Sequence, residues 1–170
     1  MRNTIVMVLL ALIVCLAPGC DKVDNKTVSG FQVRINLGTY ALWNTYGVSG
    51  VGDYNMFNRG KGLPHNFPYN VNTYTGYGGV LLIMGLDSGT ASYMPLAYDL
   101  ACPVERDAGV TLSIDPDNLE AVCPKCKSRY NVLTGAGGPV SGPAMQRKVG
   151  LTTYVVRSTG SSGGYIITSY

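Results

Sequence analysis

The chain has 170 residues, of which 46% are hydrophobic and 14% charged, with a formal net charge of +3. That length suits one domain with a sizeable core, and no run of like charges offers a nucleic-acid stripe or a polybasic membrane patch, so nucleic acid is not an expected partner. With a single histidine, no nucleotide-phosphate loop and no paired-carboxylate signature, hydrolase and nucleotide chemistry have no support.

The first 19 residues have the order of a secretory signal. Arg2 supplies a positive start, Ile5 to Leu16 is an unbroken apolar run, and the small or turn-forming residues Ala17, Pro18 and Gly19 precede Cys20. The apolar run is shorter than the ~20 residues a membrane-spanning helix needs. The stretch Leu16-Ala17-Pro18-Gly19-Cys20 resembles a bacterial lipobox, which implies an acylated Cys20 as the first mature residue. The alternative is ordinary cleavage with Cys20 left free. The expected protein is an exported bacterial lipoprotein, held by its lipid to a cell-envelope membrane, with the inner or outer membrane left open.

Residues 20–30 read as an anchored tether, because the stretch DKVDNKTVS is polar and poor in core formers. A folded domain is expected over 31–170. Phe31, Val33, Ile35 and Leu37 alternate with Gln32, Arg34 and Asn36, the period of a strand with one buried face. Residues 38–79 are rich in Tyr, Asn and Gly without helical period and read as short strands and ordered loops. Three hairpins are predicted beyond them. The first is Val80 to Met84 with Ala91 to Ala97 around Asp87-Ser88-Gly89; the second spans Val110 to Val122 around Asp115-Pro116-Asp117-Asn118; the third pairs Leu151 to Arg157 with Tyr165 to Ile167. No stretch carries a convincing amphipathic helix, so the expected fold is all-β, an antiparallel barrel or sandwich.

Cys102 and the pair Cys123 and Cys126 flank the second hairpin. Antiparallel strands return the chain to its starting point, so this hairpin can fold both cysteine loops together. Here the chain resembles the Rieske iron-sulfur domain family, whose pattern is Cys-x-His followed by Cys-x-x-His. Cys102 and Cys123 fall on the two cysteines, Cys126-Lys127-Ser128-Arg129-Tyr130 is similar to the family's His-Gly-Ser-x-aromatic continuation, and Gly138 to Ala144 is similar to its Gly-Pro-Ala loop. The resemblance implies a Rieske-like β sandwich or barrel with a small cysteine-loop subdomain at about 98–130. It also implies that Ser128 and Tyr130 hydrogen-bond to cluster sulfurs, and that a redox partner protein is served by electron transfer. By itself such a domain is not an enzyme.

The family's histidine positions are held by Val104 and Cys126, which removes a two-histidine centre. The remaining thiols, Cys102, Cys123 and Cys126, leave three readings open: a variant [2Fe-2S] cluster or a single zinc or iron ion, completed by Glu105, His65 or water; a structural disulfide with no cofactor, between Cys102 and Cys123, in a scaffold used for binding or assembly; or a redox-active thiol. Lys125, Lys127 and Arg129 are expected to favour thiolates by proximity. His65 reads as a loop residue, Glu105 and Asp107 as solvated acids, and Trp43 with the tyrosines of 40–77 as core and loop packing or a binding face.

Overall fold

A computed structural model describes residues 22–169 apart from 29, 88, 89 and 91. The proposed signal and Cys20 lie outside these residues, as do Ser88, Gly89 and Ala91 of the first predicted hairpin. The chain is all-β in character, and among the described residues eleven strands form two antiparallel sheets: β1 (Val33–Thr39), β2 (Tyr54–Phe57), β3 (Tyr74–Thr75), β4 (Val80–Asp87), β5 (Ser92–Asp99), β6 (Ser113–Asp115), β7 (Glu120–Val122), β8 (Arg129–Asn131), β9 (Pro139–Ser141), β10 (Thr153–Ser158) and β11 (Gly163–Thr168). Seven form one sheet in the order β2-β4-β5-β10-β11-β1-β3, curled into a nearly closed barrel, and β6-β7-β8-β9 form a smaller sheet. Side chains fasten the seam of the barrel. Just past β2, Asn58 Nδ2 donates to the Gly78 carbonyl at 2.8 Å and Arg59 donates to that of Thr73 at 3.4 Å, tying one sheet edge to the other.

The three predicted hairpins form. Val80 pairs with Asp99 and Asp87 with Ser92, Ser113 pairs with Val122, and Ser158 pairs with Tyr165. The uninterrupted apolar run that opens β4 makes sense in this setting, since Leu81 and Ile83 enter a core shared with the small sheet while Val80 and Leu82 enter the barrel interior. Buried on both faces, β4 has no need of polar alternation. In β1, Val33, Ile35 and Leu37 are buried as predicted, whereas Phe31 is 45% exposed and stacks on Tyr77 with ring centroids 4.4 Å apart.

Three expectations need correction. Among the described residues two short α-helices form, α1 (Tyr40–Tyr46) and α2 (Pro143–Arg147). Thr39 caps α1 by accepting from the Leu42 amide, and Pro143 opens α2 with its fixed φ; neither helix is long enough for an amphipathic repeat to accumulate. The polar stretch after residue 21 is no free tether over its described part. Asp24 bridges to Val149, Asn25 Nδ2 donates to the Ala136 carbonyl, and Val28 is buried. Finally, the cysteine-loop subdomain extends beyond residue 130, because β8, β9 and α2 complete it.

Candidate metal centre

The small sheet grows from the end of the barrel hairpin. After β5 the chain reaches Ala101, which bridges to Thr111, and the Leu112 amide donates to the Leu100 carbonyl at 2.8 Å. The loop between them holds Cys102. Its carbonyl accepts from the Arg106 amide at 2.9 Å, and Arg106 takes a left-handed φ of 53°. Cys123 begins the loop after β7 in the same manner, its carbonyl accepting from the Lys127 amide at 3.1 Å and Lys127 standing at φ 60°. The β6–β7 hairpin thus presents both loops at one end.

There the sulfurs of Cys102, Cys123 and Cys126 all lie within 4.8 Å of one another, and those of Cys102 and Cys126 are 3.6 Å apart. Two thiolates on one tetrahedral ion with bonds of about 2.3 Å stand roughly 3.8 Å apart. The spacing therefore suits a single tetrahedral ion. A disulfide needs about 2.05 Å between sulfurs, a closure that a small movement of Cys102 or Cys126 would supply. Soft thiolates select zinc, copper(I) or iron over hard cations.

Polar groups converge on the sulfurs. The Tyr130 hydroxyl lies 3.6 Å from Cys102 Sγ and the Ser128 hydroxyl 3.1 Å from Cys126 Sγ. Ser128 is itself fixed by the Ala144 amide, which donates to its Oγ at 3.0 Å. Gly142 makes that approach possible, since a Cβ there would stand 2.9 Å from Ser128 Cα, and its φ of 79° suits glycine. The two residues singled out beside the cysteines thus face sulfur, with the Gly-Pro-Ala loop behind them.

Burial pushes the Cys102 thiol up to about 12, against the lowering effect of the Glu105 and Val104 amides and the Tyr130 hydroxyl. Cys126 moves the other way. Burial raises it, but the hydroxyl and amide of Ser128 and the neighbouring thiols outweigh that and hold it below the ordinary cysteine value. One buried neutral thiol beside a readily ionised one is a pair that a cation or an oxidant can draw on.

The three predicted cations are not all aimed at sulfur. Arg129 pairs with Asp115 and Glu120, Lys127 donates to the Pro124 carbonyl at 2.6 Å, and Lys125 pairs with Glu105 at 2.6 Å. Lys125 also feels the charge of Cys123. Glu105 is not a solvated acid, its side chain being only 14% exposed. His65 is exposed and does not join the sulfur group.

Sequence reasoning passed over Asp99. Its buried carboxylate accepts from the amides of Tyr77, Gly78 and Ala101 and from the Tyr154 hydroxyl, which fastens the 76–79 turn to β5 and β10. A lone Asp ending an apolar strand carries no signal of that role. The aromatic stretch is divided: Trp43 packs on Tyr165, and Phe67 meets Tyr46, Phe57 and Tyr69, whereas Tyr40, Tyr54 and Tyr74 are exposed.

No protein-family profile matches the chain, and no curated protein matches it in sequence. The sulfur geometry therefore carries the functional reading.

Proposed function

We propose that this chain is a Rieske-like module, lipid-anchored to a bacterial cell-envelope membrane, in which Cys102, Cys123 and Cys126 hold a metal. The observation that carries this reading is the mutual approach of three sulfurs within 4.8 Å, with the Ser128 and Tyr130 hydroxyls in hydrogen-bond contact with two of them. A single zinc or iron ion accounts for that compactness better than a [2Fe-2S] cluster, which calls for four protein ligands spread over two irons. Iron would make the module an electron carrier for a partner protein, and zinc would make the site a structural staple. Metal and acid-labile sulfide analysis of anaerobically purified protein tests the site: stoichiometric metal supports it, and a metal-free preparation sinks it. Palmitate incorporation that disappears in Cys20→Ala tests the anchor.

A second reading is favoured by the 3.6 Å gap between Cys102 and Cys126. In an oxidising compartment these two would close a disulfide, leaving a cofactor-free scaffold for binding or assembly. Thiol counting before and after reduction separates the two readings.

A further inference from the structure

The two cysteine loops share one backbone. Cys102-Pro103-Val104-Glu105-Arg106 and Cys123-Pro124-Lys125-Cys126-Lys127 both open with Cys-Pro, and in both the amide of the fifth residue donates to the cysteine carbonyl, at 2.9 and 3.1 Å. Both fifth residues take the left-handed conformation, at φ 53° and 60°. Laid one on the other, the loops place Glu105 where Cys126 stands. Cys126 is the residue that brings the third sulfur to the group. The pseudo-symmetric partner of a ligand is thus a residue whose side chain is itself a metal donor.

Three further observations bear on Glu105. Its side chain is only 14% exposed, its amide faces Cys102 Sγ, and its carboxylate is held across the two loops by Lys125 Nζ at 2.6 Å. A three-thiolate set leaves a tetrahedral ion one ligand short, and carboxylate oxygen is an accepted zinc donor beside thiolates.

We propose that Glu105 is the fourth ligand of this centre, giving a three-thiolate, one-carboxylate site for a tetrahedral dication such as zinc or iron(II). The proposal rests on the three-thiolate reading above. Ligation requires the carboxylate to turn from Lys125 toward the sulfurs.

The test uses the full chain purified anaerobically, with Zn2+ and Co2+ as probes. Glu105→Gln should weaken zinc binding about tenfold or more, since outer partners of metal ligands alone are worth about 10–100-fold. It should also shift the visible bands of bound Co2+ while leaving the thiolate charge-transfer absorption in place. Glu105→Cys should tighten binding and convert the Co2+ spectrum to that of a four-thiolate centre. Lys125→Met separates ligation from a merely structural ion pair, and it should stay within about fivefold of wild type, the range of an exposed pair. Equal losses in Glu105→Gln and Lys125→Met, or a Co2+ spectrum indifferent to Glu105→Cys, would overturn the proposal while leaving the three-thiolate site standing. Failure of the wild-type chain to bind Co2+ at all would overturn both.

Discussion

The hydroxyl of Tyr130 lies 3.6 Å from the sulfur of Cys102, although the two residues are 28 positions apart. The contact follows from register. Tyr130 on β8 pairs with Ala121 on β7, two residues before Cys123, so its ring is buried beneath both cysteine loops. In Tyr130→Phe the ring is kept and the donor lost. We expect the fold to persist and metal affinity to fall by about tenfold, within the range lost with outer-shell partners. A competitive chelator titration measures this, and unchanged affinity would deny the hydroxyl any role toward sulfur.

Gly142 is placed to fail on substitution. A methyl group there meets Ser128 Cα at 2.9 Å, and the backbone stands at φ 79°. Gly142→Ala should cost about 1–3 kcal/mol, because φ 79° with ψ −166° is a backbone region essentially reserved for glycine. The melting temperature should drop by about 2–4 °C for each of those kcal/mol. A neutral result in thermal unfolding would mean that the Ser128 turn yields more easily than its packing implies.

Cysteine reactivity should be graded. Cys126 is half-buried with its thiol held below the ordinary value, whereas Cys102 is buried and pushed up to about 12. Because the thiolate is the nucleophile, brief iodoacetamide treatment of reduced, chelator-treated protein at mildly alkaline pH should label Cys126 first. Cys102 should react only after denaturation. Peptide mass spectrometry reads the order directly, and early labelling of Cys102 would contradict it.

Asp99 is held by three amides and the Tyr154 hydroxyl. Asparagine cannot accept all four bonds, so Asp99→Asn leaves at least one buried donor unpaired, at a cost of about 1–3 kcal/mol. Denaturant unfolding checks the size of the loss. Burial raises the Asp99 pKa above its usual value despite these donors, so this carboxylate favours the folded state less as pH rises through its folded pKa.

Asp115 gives the opposite sign. The Arg129 guanidinium lowers its carboxyl to about 2 from an ordinary 3.8. A depressed carboxylate stabilises the fold fully above its unfolded pKa and loses that contribution as pH falls toward the folded one. The small sheet should therefore weaken between about pH 4 and pH 2, and Arg129→Gln should flatten that limb of an acid titration followed by circular dichroism.

Much of the fold was legible because strand signals are local. Alternation in Val33 to Leu37, the apolar run Val80 to Met84 and the turn residues at 115–118 each name a strand or hairpin within a few positions. The short helices were not, since a helix of one or two turns held by Thr39 or Pro143 offers too few residues for a period to show. The order of the docked segment at 24–28 was hidden for a different reason: its polar side chains and backbone bond to distant partners such as Ala136 and Lys148.

By itself, then, the sequence determined the all-β character, the hairpins and the flanking of one hairpin by two cysteine loops, because backbone preference and hydrophobic period act over neighbouring residues. Only the tertiary structure decided that three sulfurs converge, that Ser128 and Tyr130 face them, that Glu105 turns to Lys125 while Arg129 turns away to Asp115, and that Asp99 fastens barrel to turn. These are contacts between residues far apart in the chain, set by strand register and by which buried polar groups find partners, and no local pattern encodes that pairing.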